Sequence, residues 1–380
     1  MPVFRVPDET TLSLCAVVVS LCFTATFLAL RLRQPAERYW GYWAASGICY
    51  IVGVVGLSEL AKPIVPTIGG VLFGLLGGAT VLTLVGMRAF AGMPAWRWWI
   101  VVLLALPPTG YLAAAFLSSG GTTPGGSPLQ RMVGGTMLTV VLGGCGASLF
   151  AGTVARRVGG WSRAVGVALL AHLPSYATVL ASVYIGREGN DAIASYLRMT
   201  QPVLMVAIDL VLLAMPGMVA MERLREAAWR DGLTGLYNRR WLGDGEAARA
   251  AAGAGVAMID LDGFKGVNDR CGHAAGDRLL VDFAAHLRHW ADAHAAEVVR
   301  LGGDEFLILF MPDDEVLAAT LRRHLGTAPH GPANVPPWSA SIGIAHCPAG
   351  SATLQGAMQA ADDALYAAKQ ARRSGVPFAA

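Results

Sequence analysis

The chain has 380 residues, a length that suggests two or three domains. Its residues are 54% hydrophobic and 14% charged, with a mean hydropathy of +0.49, which excludes an ordinary soluble protein. The net charge of +3 is too small to indicate a nucleic-acid partner, and the six cysteines show neither a CxxC pair nor zinc-site spacing.

The first 220 residues contain apolar stretches long enough for membrane-spanning helices, each of which needs about 20 largely apolar residues. The only acidic or basic residue inside these stretches is Asp209. We therefore predict an N-terminal all-α transmembrane bundle of about seven spans over residues 1–220, acting as a sensory or anchor region. The predicted spans are 11–30, 39–58, 64–87, 98–116, 132–155, 164–186 and 199–220.

The basic residues between the spans predict an orientation, because cytoplasmic connections carry an excess of lysine and arginine. The connections after spans one, three, five and seven hold clusters of arginine, whereas the alternate connections are poorer. We therefore predict that the N-terminus lies outside the membrane and that the C-terminal part of the chain is cytoplasmic.

Two polar side chains lie inside predicted spans. An acid such as Asp209 costs roughly 2.5–3.5 kcal/mol at mid-span on insertion scales, so it should face the bundle interior. It could contact a ligand or a proton together with His172, or it could fix helix packing through an interhelical hydrogen bond. The sequence shows no repeat or paired broken helices typical of a transporter. A retinal photoreceptor would need a lysine in the last span, and this sequence has none there.

Residues 221–230 are charged and favour a helix, so we interpret them as a helical linker that continues span seven into a domain at 231–380. In that domain, strand-like runs alternate with helical periodicity. This order predicts an α+β fold with helices covering a central, antiparallel-containing sheet. The predicted helices are 239–252 (capped by Asn238), 278–291, 313–325 and 354–373, and the predicted strands are 255–261, 297–301, 306–311 and 338–345.

The chemistry of this domain centres on a predicted hairpin. Gly302 and Gly303 separate two strand-like runs, a pattern typical of a tight turn, and Asp304 and Glu305 follow at once. Asp260 ends another predicted strand. If the strands are neighbours, the acids converge on one edge. Hard oxygen ligands of this kind suit Mg²⁺, and two such ions can activate a hydroxyl and stabilise a leaving oxygen.

Basic and amide side chains elsewhere in the domain would suit a nucleotide. Lys265 follows Asp260 closely, and Lys369 and Arg373 lie one turn apart on the last predicted helix, where they could contact phosphate. Asn268 and Asp277 could read a base edge. The N1–H and N2–H₂ donors of guanine would suit the carboxylate of Asp277.

These segments resemble the GGDEF domain of the diguanylate cyclase family, over about 150 of the 380 residues. The signature is Arg-Leu-Gly-Gly-Asp-Glu-Phe at 300–306. The flanking motifs are Asp-Gly-Leu-Thr-Gly-Leu-Tyr-Asn-Arg-Arg at 231–240, Asp-Leu-Asp-Gly-Phe-Lys at 260–265, the Asn-Asp, Gly-His and Gly-Asp pairs at 268–277, Ser-Ile-Gly-Ile at 341–344, and Ala-Asp-Asp-Ala-Leu-Tyr at 361–366.

The resemblance implies a palm-like fold shared with nucleotidyl cyclases and polymerases. It implies one GTP per subunit and a homodimer in which each 3′-hydroxyl attacks the partner's α-phosphate, giving cyclic di-GMP and two pyrophosphates. We therefore expect a signal-regulated enzyme of the bacterial inner membrane, with membrane lipid around its spans and cyclic di-GMP effectors downstream. The alternative is an inactive GGDEF domain that acts as a receptor or scaffold.

The resemblance also assigns roles to residues. Asp304 would be the proton acceptor, with Glu305 competing for that role. The metal ligands for two Mg²⁺ ions, or Mn²⁺, would be Asp260, the Leu261 carbonyl, Asp304 and Glu305. The substrate-binding residues would be Gly302 and Gly303 at the tip, Asn268, Asp277 and nearby His273 for guanine, and Lys265, Lys369 and Arg373 for phosphate.

Two departures from the family pattern change the expectations. Many members carry an Arg-x-x-Asp product-inhibition site shortly before the signature glycines, but here the two positions are Ala293 and Ala296. We therefore expect no feedback inhibition through that site. Arg372 and Ser374 replace the glycine and asparagine usual around Arg373, which weakens the assignment of Arg373 to phosphate.

Overall fold

The computed structural model describes residues 9–59, 65–118, 127–185, 192–310, 315–326, 337–351 and 353–373. The chain divides into two compact units, Met1–Val219 and Ala220–Ala380.

The first unit is all-α. Seven stretches among the described residues are long and apolar enough to cross a membrane, as predicted. The stretch centred on α3 is the core of the bundle, since 61% of it is buried against 17% to 39% of the others. The helices are α1 (Glu9–Arg33), α2 (Tyr39–Glu59), α3 (Pro66–Phe90), α4 (Trp98–Leu117), α5 (Pro128–Ala151), α6 (Thr153–Val158), α7 (Gly160–Leu170), α8 (Leu173–Ile185) and α9 (Ala192–Ala228).

The fifth and sixth spans are each built from two helices, a feature that the sequence analysis did not predict. The sixth is interrupted at Ala171 and His172, between α7 and α8. Pro174 has no backbone N–H to continue the helical ladder, which accounts for the break. The imidazole Nδ1 of His172 lies 2.8 Å from the Ala168 carbonyl, so the side chain bonds to the end of α7. The break therefore places a histidine inside the bundle.

The second unit is an α+β fold with an antiparallel-containing central sheet, as predicted, and the sheet has five strands and is mixed. The strand order is β1-β3-β4-β2-β5, in which β1 pairs with β3 in parallel and the other neighbours are antiparallel. The strands are β1 (Tyr237–Asn238), β2 (Ala254–Leu261), β3 (Glu297–Gly302), β4 (Glu305–Phe310) and β5 (Ala340–Cys347). The helices are α10 (Arg239–Gly243), α11 (Glu246–Ala252), α12 (Phe264–Cys271), α13 (His273–Ala293), α14 (Glu315–Gly326) and α15 (Gln355–Arg373).

Alternate side chains of the central strand β2 pack into two hydrophobic cores, one on each face of the sheet. Ala257 and Ile259 pack in the cluster that includes α13 and α14, whereas Ala254 and Val256 pack in the cluster that includes α10 and α15. Because successive side chains point to opposite faces, Asp260 lies on the α15 face. The pattern of the strand therefore decides which helix can reach this acid.

One glycine sets how closely α15 approaches the sheet. A Cβ atom at Gly343 of β5 would overlap the Ala361 carbonyl and the Leu365 amide of α15. The helix backbone therefore lies directly on the strand backbone at this point, a contact that only glycine permits.

The structure confirms one detail of the predicted elements and corrects others. Asn238 caps a helix as predicted, accepting a hydrogen bond from the Arg240 amide at 3.0 Å. The predicted helix 239–252 is broken into α10 and α11, because Gly245 adopts a left-handed conformation with φ +76°. The short strand β1 and the helix α12 were not predicted, and α13 begins at His273, five residues before the predicted start.

Candidate active site

The hairpin between β3 and β4 presents its two acids at the edge of the sheet. The tip is made by Gly302 and Gly303, with φ +155° and +53°, and the second value favours glycine strongly. A register shift between Arg300 and Gly302 ends the regular pairing of β3. Asp304 follows the tip directly, and the exposed Glu305 begins β4.

Strands β2 and β4 are neighbours, so the acids converge on one edge. Asp260 lies opposite Glu305 on one side and Ser341 of β5 on the other. The Leu261 amide donates a hydrogen bond to the Asp304 carbonyl at 3.2 Å. The backbone of β2 therefore holds Asp304 next to Asp260.

A lysine from α15 neutralises the innermost of these acids. Lys369 Nζ lies 2.7 Å from Asp260 Oδ2, and Asp260 is only 9% exposed. Burial raises the pKa of Asp260, the Lys369 ammonium lowers it, and the charges of Asp304 and Asp262 raise it further, so the net shift is upward. Lys369, expected to contact phosphate, thus contacts the expected metal ligand.

A second cation from α15 holds Asp262, a residue to which the sequence analysis gave no role. Asp262 Oδ2 accepts hydrogen bonds from Arg372 Nη1 at 2.6 Å and Ser339 Oγ at 3.0 Å, and Oδ1 accepts one from Ser341 Oγ at 2.7 Å. Arg372, one of the departures from the family pattern, is therefore engaged at the site. The spacing could have indicated this, because residues three apart share a helix face and residues two apart share a strand face.

The hairpin tip is also held in place by Arg300, which connects it to the motif at residues 231–240. The Arg300 guanidinium donates to the Gly303 carbonyl from Nε at 3.1 Å and from Nη2 at 2.8 Å, and from Nη1 to Asp231 Oδ1 at 2.9 Å. The same carboxylate oxygen accepts bonds from the Thr234 amide and hydroxyl at 2.9 and 2.7 Å. Burial alone would raise the pKa of Asp231, but the bonds from Thr234 and Arg300 hold it below its ordinary value.

The residues predicted to bind guanine, and Lys265 of the three predicted to contact phosphate, lie on the two helices that follow β2. Lys265 is exposed on α12, and His273 and Asp277 are exposed on the first turns of α13. Asn268 is half-buried because its side chain lies against Gly276, where a Cβ atom would overlap the amide oxygen. The side chain of Arg373 lies outside the described part of the chain.

The donor set fits Mg²⁺ held jointly by protein and nucleotide. Among the described residues, no group of three or more His, Cys, Asp or Glu side chains is placed to hold a metal ion. Asp260 and Asp304, however, are close enough for their charges to interact. Mg²⁺ is usually held by one or two carboxylates together with substrate phosphates. The two neighbouring carboxylates of Asp260 and Asp304 therefore match the number of ligands that a protein usually supplies to such an ion.

Comparisons with known proteins match the second unit. The family model described as "Diguanylate cyclase, GGDEF domain" matches residues 228–375. The bifunctional diguanylate cyclase/cyclic di-GMP phosphodiesterase MucR of Pseudomonas aeruginosa is 39% identical over 170 residues, which cover 42% of this chain and 24% of MucR. This chain therefore spans about a quarter of that relative's length.

A shorter relative and a solved structure match over most of their own lengths. An uncharacterized 19.3 kDa protein of Streptomyces ambofaciens is 40% identical over 171 residues, covering 43% of this chain and 89% of that protein. The crystal structure of a sensory box/GGDEF family protein from Caulobacter crescentus CB15 is 37% identical, covers 38% of this chain and 99% of that chain, and has a TM-score of 0.34. By the family model over residues 228–375 and the diguanylate cyclase homologues, the second unit carries a GGDEF domain.

Proposed function

We propose that this protein is a membrane-bound diguanylate cyclase that condenses two GTP molecules into cyclic di-GMP and two pyrophosphates. The observation that carries the proposal is the convergence of Asp260, Asp304 and Glu305 on one edge of the sheet, where Lys369 supplies a neutralising charge. Paired carboxylates, a nearby lysine and a glycine tip without side chains are the parts that phosphoryl-transfer chemistry requires.

In this proposal each protein group has a defined task. Asp260, Asp304 and the Leu261 carbonyl would hold two Mg²⁺ ions, or Mn²⁺, with Glu305 as a further ligand; bound ions would polarise phosphate oxygens. Asp304 accepts the proton of the attacking 3′-hydroxyl, with Glu305 as the competing acceptor. The new bond joins that oxygen to the α-phosphorus, and pyrophosphate leaves.

The remaining site residues bind and orient GTP in the same proposal. Gly302 and Gly303 let the backbone approach the phosphates. Exposed Lys265 is available to phosphate, and Lys369 would have to exchange its contact with Asp260 for one with phosphate. Guanine is read by Asn268 and Asp277, with His273 nearby, and Arg373 is a further phosphate contact.

The proposal extends to the whole chain. Residues 1–220 form the sensory or anchor region, 221–230 a helical linker and 231–380 the cyclase domain. We place the spans in a bacterial inner membrane with the N-terminus outside and the cyclase domain in the cytoplasm, as the arginine pattern predicts. Catalysis requires a homodimer, because each GTP is attacked by the GTP of the other subunit. Cyclic di-GMP effectors are the downstream partners.

The decisive experiment follows cyclic di-GMP by mass spectrometry after the purified full-length protein is incubated with GTP and Mg²⁺. Asp304→Ala should lower the rate at least about 100-fold, the scale for removing one preorganised electrostatic group. Asp363→Ala, which changes an exposed acid of α15, is the matched control and should leave the rate within about twofold. A dimeric wild-type protein that binds GTP yet forms no product would overturn the proposal in favour of a receptor or scaffold.

A further inference from the structure

The membrane unit contains a small polar cavity that the cyclase proposal does not use. It is lined by residues of six helices, α2, α3, α5, α7, α8 and α9, and by the break in the sixth span. Its polar lining includes Tyr50 of α2, His172 at the break, Tyr176 of α8, and Gln201 and Asp209 of α9. The structure therefore brings together Asp209 and His172, the two polar residues that stand out in the sequence of the spans.

The size of the cavity limits what can bind there. Its volume is about 40 Å³. A single water-sized species needs roughly 10–15 Å³ of such volume, whereas pockets for organic ligands are usually about 300–1,000 Å³. The cavity therefore has room for one or a few water-sized species and excludes a metabolite, a peptide or a cofactor.

The charges around the cavity indicate the kind of small species. Among the described lining residues, Asp209 is the only acid, and there is no lysine or arginine. The other titratable groups that face it are the hydroxyls of Tyr50 and Tyr176 and the imidazole of His172. An acid within a membrane span is costly unless a partner neutralises it. The described part of the lining supplies hydrogen bonds but no lysine or arginine charge.

The hydrogen bonds show that the lining offers acceptor atoms. The Ala168 carbonyl can only accept, so His172 Nδ1 must donate to it, which leaves Nε2 of the neutral ring as an acceptor. Gln201 donates through Nε2 to Ser175 Oγ at 3.2 Å, so its carbonyl oxygen remains an acceptor. With the Asp209 carboxylate and the tyrosine hydroxyls, these atoms can surround a small positive species.

We propose that this cavity is a binding site for one small monovalent cation, H⁺ or Na⁺, held on Asp209. The bound cation supplies the positive charge that the described lining lacks, and Tyr50, Tyr176 and Gln201 supply its remaining polar contacts. This inference goes beyond the proposed function, because binding on Asp209 does not depend on whether the second unit makes cyclic di-GMP.

The test uses infrared difference spectroscopy on the full-length protein in lipid nanodiscs. In one arm the pH is stepped without Na⁺, and in the other Na⁺ is stepped at constant pH. We expect a protonated-carboxyl carbonyl band that disappears as the pH rises. This band should be absent from Asp209→Asn and retained in Glu37→Gln, a control that changes an exposed acid between α1 and α2.

The two arms separate the possible cations. A band that responds to pH alone assigns H⁺, whereas a band that Na⁺ also removes at constant pH assigns Na⁺ as a competing occupant. Tyr50→Phe and Tyr176→Phe should each shift the midpoint at least about threefold, the scale of one lost hydrogen bond. They also keep the test decisive if Asp209→Asn fails to fold. Wild-type spectra without any Asp209-dependent band, or midpoints unmoved in both tyrosine variants, would overturn the proposal.

Discussion

Asp260 in the second unit and Asp209 in the first are both acids with restricted exposure, yet their surroundings differ. Asp260 has the ammonium of Lys369 at 2.7 Å, whereas the described lining of the cavity at Asp209 contains no lysine or arginine. The first acid is neutralised by the fold itself. The second relies on neutral hydrogen-bonding groups and, in our proposal, on a cation from outside. An acid of the first kind should depend on one particular side chain, and an acid of the second kind should not.

The largest effect should come from removing the internal cation. Lys369→Met leaves the Asp260 carboxylate buried without its partner, so we expect a loss of about 2 kcal/mol in stability around the site. The cyclase rate should fall about 100-fold, because the charge next to the reacting phosphates is lost. Hydrogen-exchange mass spectrometry of the full chain would report the opening free energy of β2 and α15, and product formation would report the rate.

Lys265→Met is the matched control for stability, because Lys265 is exposed on α12. Its effect on the opening free energy should stay within about 0.5 kcal/mol. Equal losses of stability in the two lysine variants would contradict the view that the fold neutralises Asp260 through Lys369.

A smaller loss of stability and activity is expected when Arg300 is replaced. Arg300 is the cation that binds Asp231, an acid that also accepts hydrogen bonds from neutral donors. Arg300→Met removes two hydrogen bonds to the Gly303 carbonyl and the contact with Asp231. We expect a loss of about 1–2 kcal/mol in hairpin stability and a roughly tenfold lower cyclase rate, since the acids that follow the tip would be less well placed. Hydrogen exchange of 300–306 compared with that of α13 would locate the loss, and equal changes in both segments would argue against a local role.

The contribution of ionised Asp231 to stability, which depends on pH, should be smaller than the loss expected for Arg300→Met. Because its folded-state pKa is lowered, the ionised form stabilises the fold. That contribution is fully present above the unfolded pKa of about 3.9 and is lost as the pH falls through the lowered folded pKa. The difference in opening free energy between wild type and Asp231→Asn should be about 0.5–1 kcal/mol at neutral pH, since the pair is partly exposed, and should shrink below about pH 4. A difference that grows on acidification would show the opposite sign of linkage.

The smallest effect on stability is expected at Asp209. Asn is close to Asp in size and can still hydrogen-bond to the neutral lining, so Asp209→Asn should change the stability of the first unit by only about 0.6 kcal/mol, the average for polar contacts between membrane helices. Thermal unfolding of the full-length protein in nanodiscs would measure this change in the stability of the first unit. A loss as large as that expected for Lys369→Met would show that Asp209 has a fixed charged partner.

The sequence alone predicted much of the fold because strong periodicity and special residues marked it. The apolar spans follow directly from the bilayer thickness, and the glycine pair at 302–303 marked the hairpin that carries Asp304 and Glu305. Helix α12 escaped prediction because it is polar and only eight residues long, which is shorter than the window over which apolar periodicity indicates a helix. The contact of Lys369 with Asp260 joins residues more than one hundred positions apart. Local pattern carries no information about such a contact, although motif spacing singled out both residues.

The close approach at Gly343 has a consequence for the interpretation of variants. Lys369 lies one turn beyond Leu365, which rests on that glycine. A single added methyl group at position 343 would push α15 outward and carry the ammonium away from Asp260. A screen for inactive variants should therefore recover position 343 beside the acids, although glycine has no functional group. Substitutions at this position would affect activity because they change the distance between α15 and β5. A map of such positions would therefore identify residues that position the site as well as residues that carry out its chemistry.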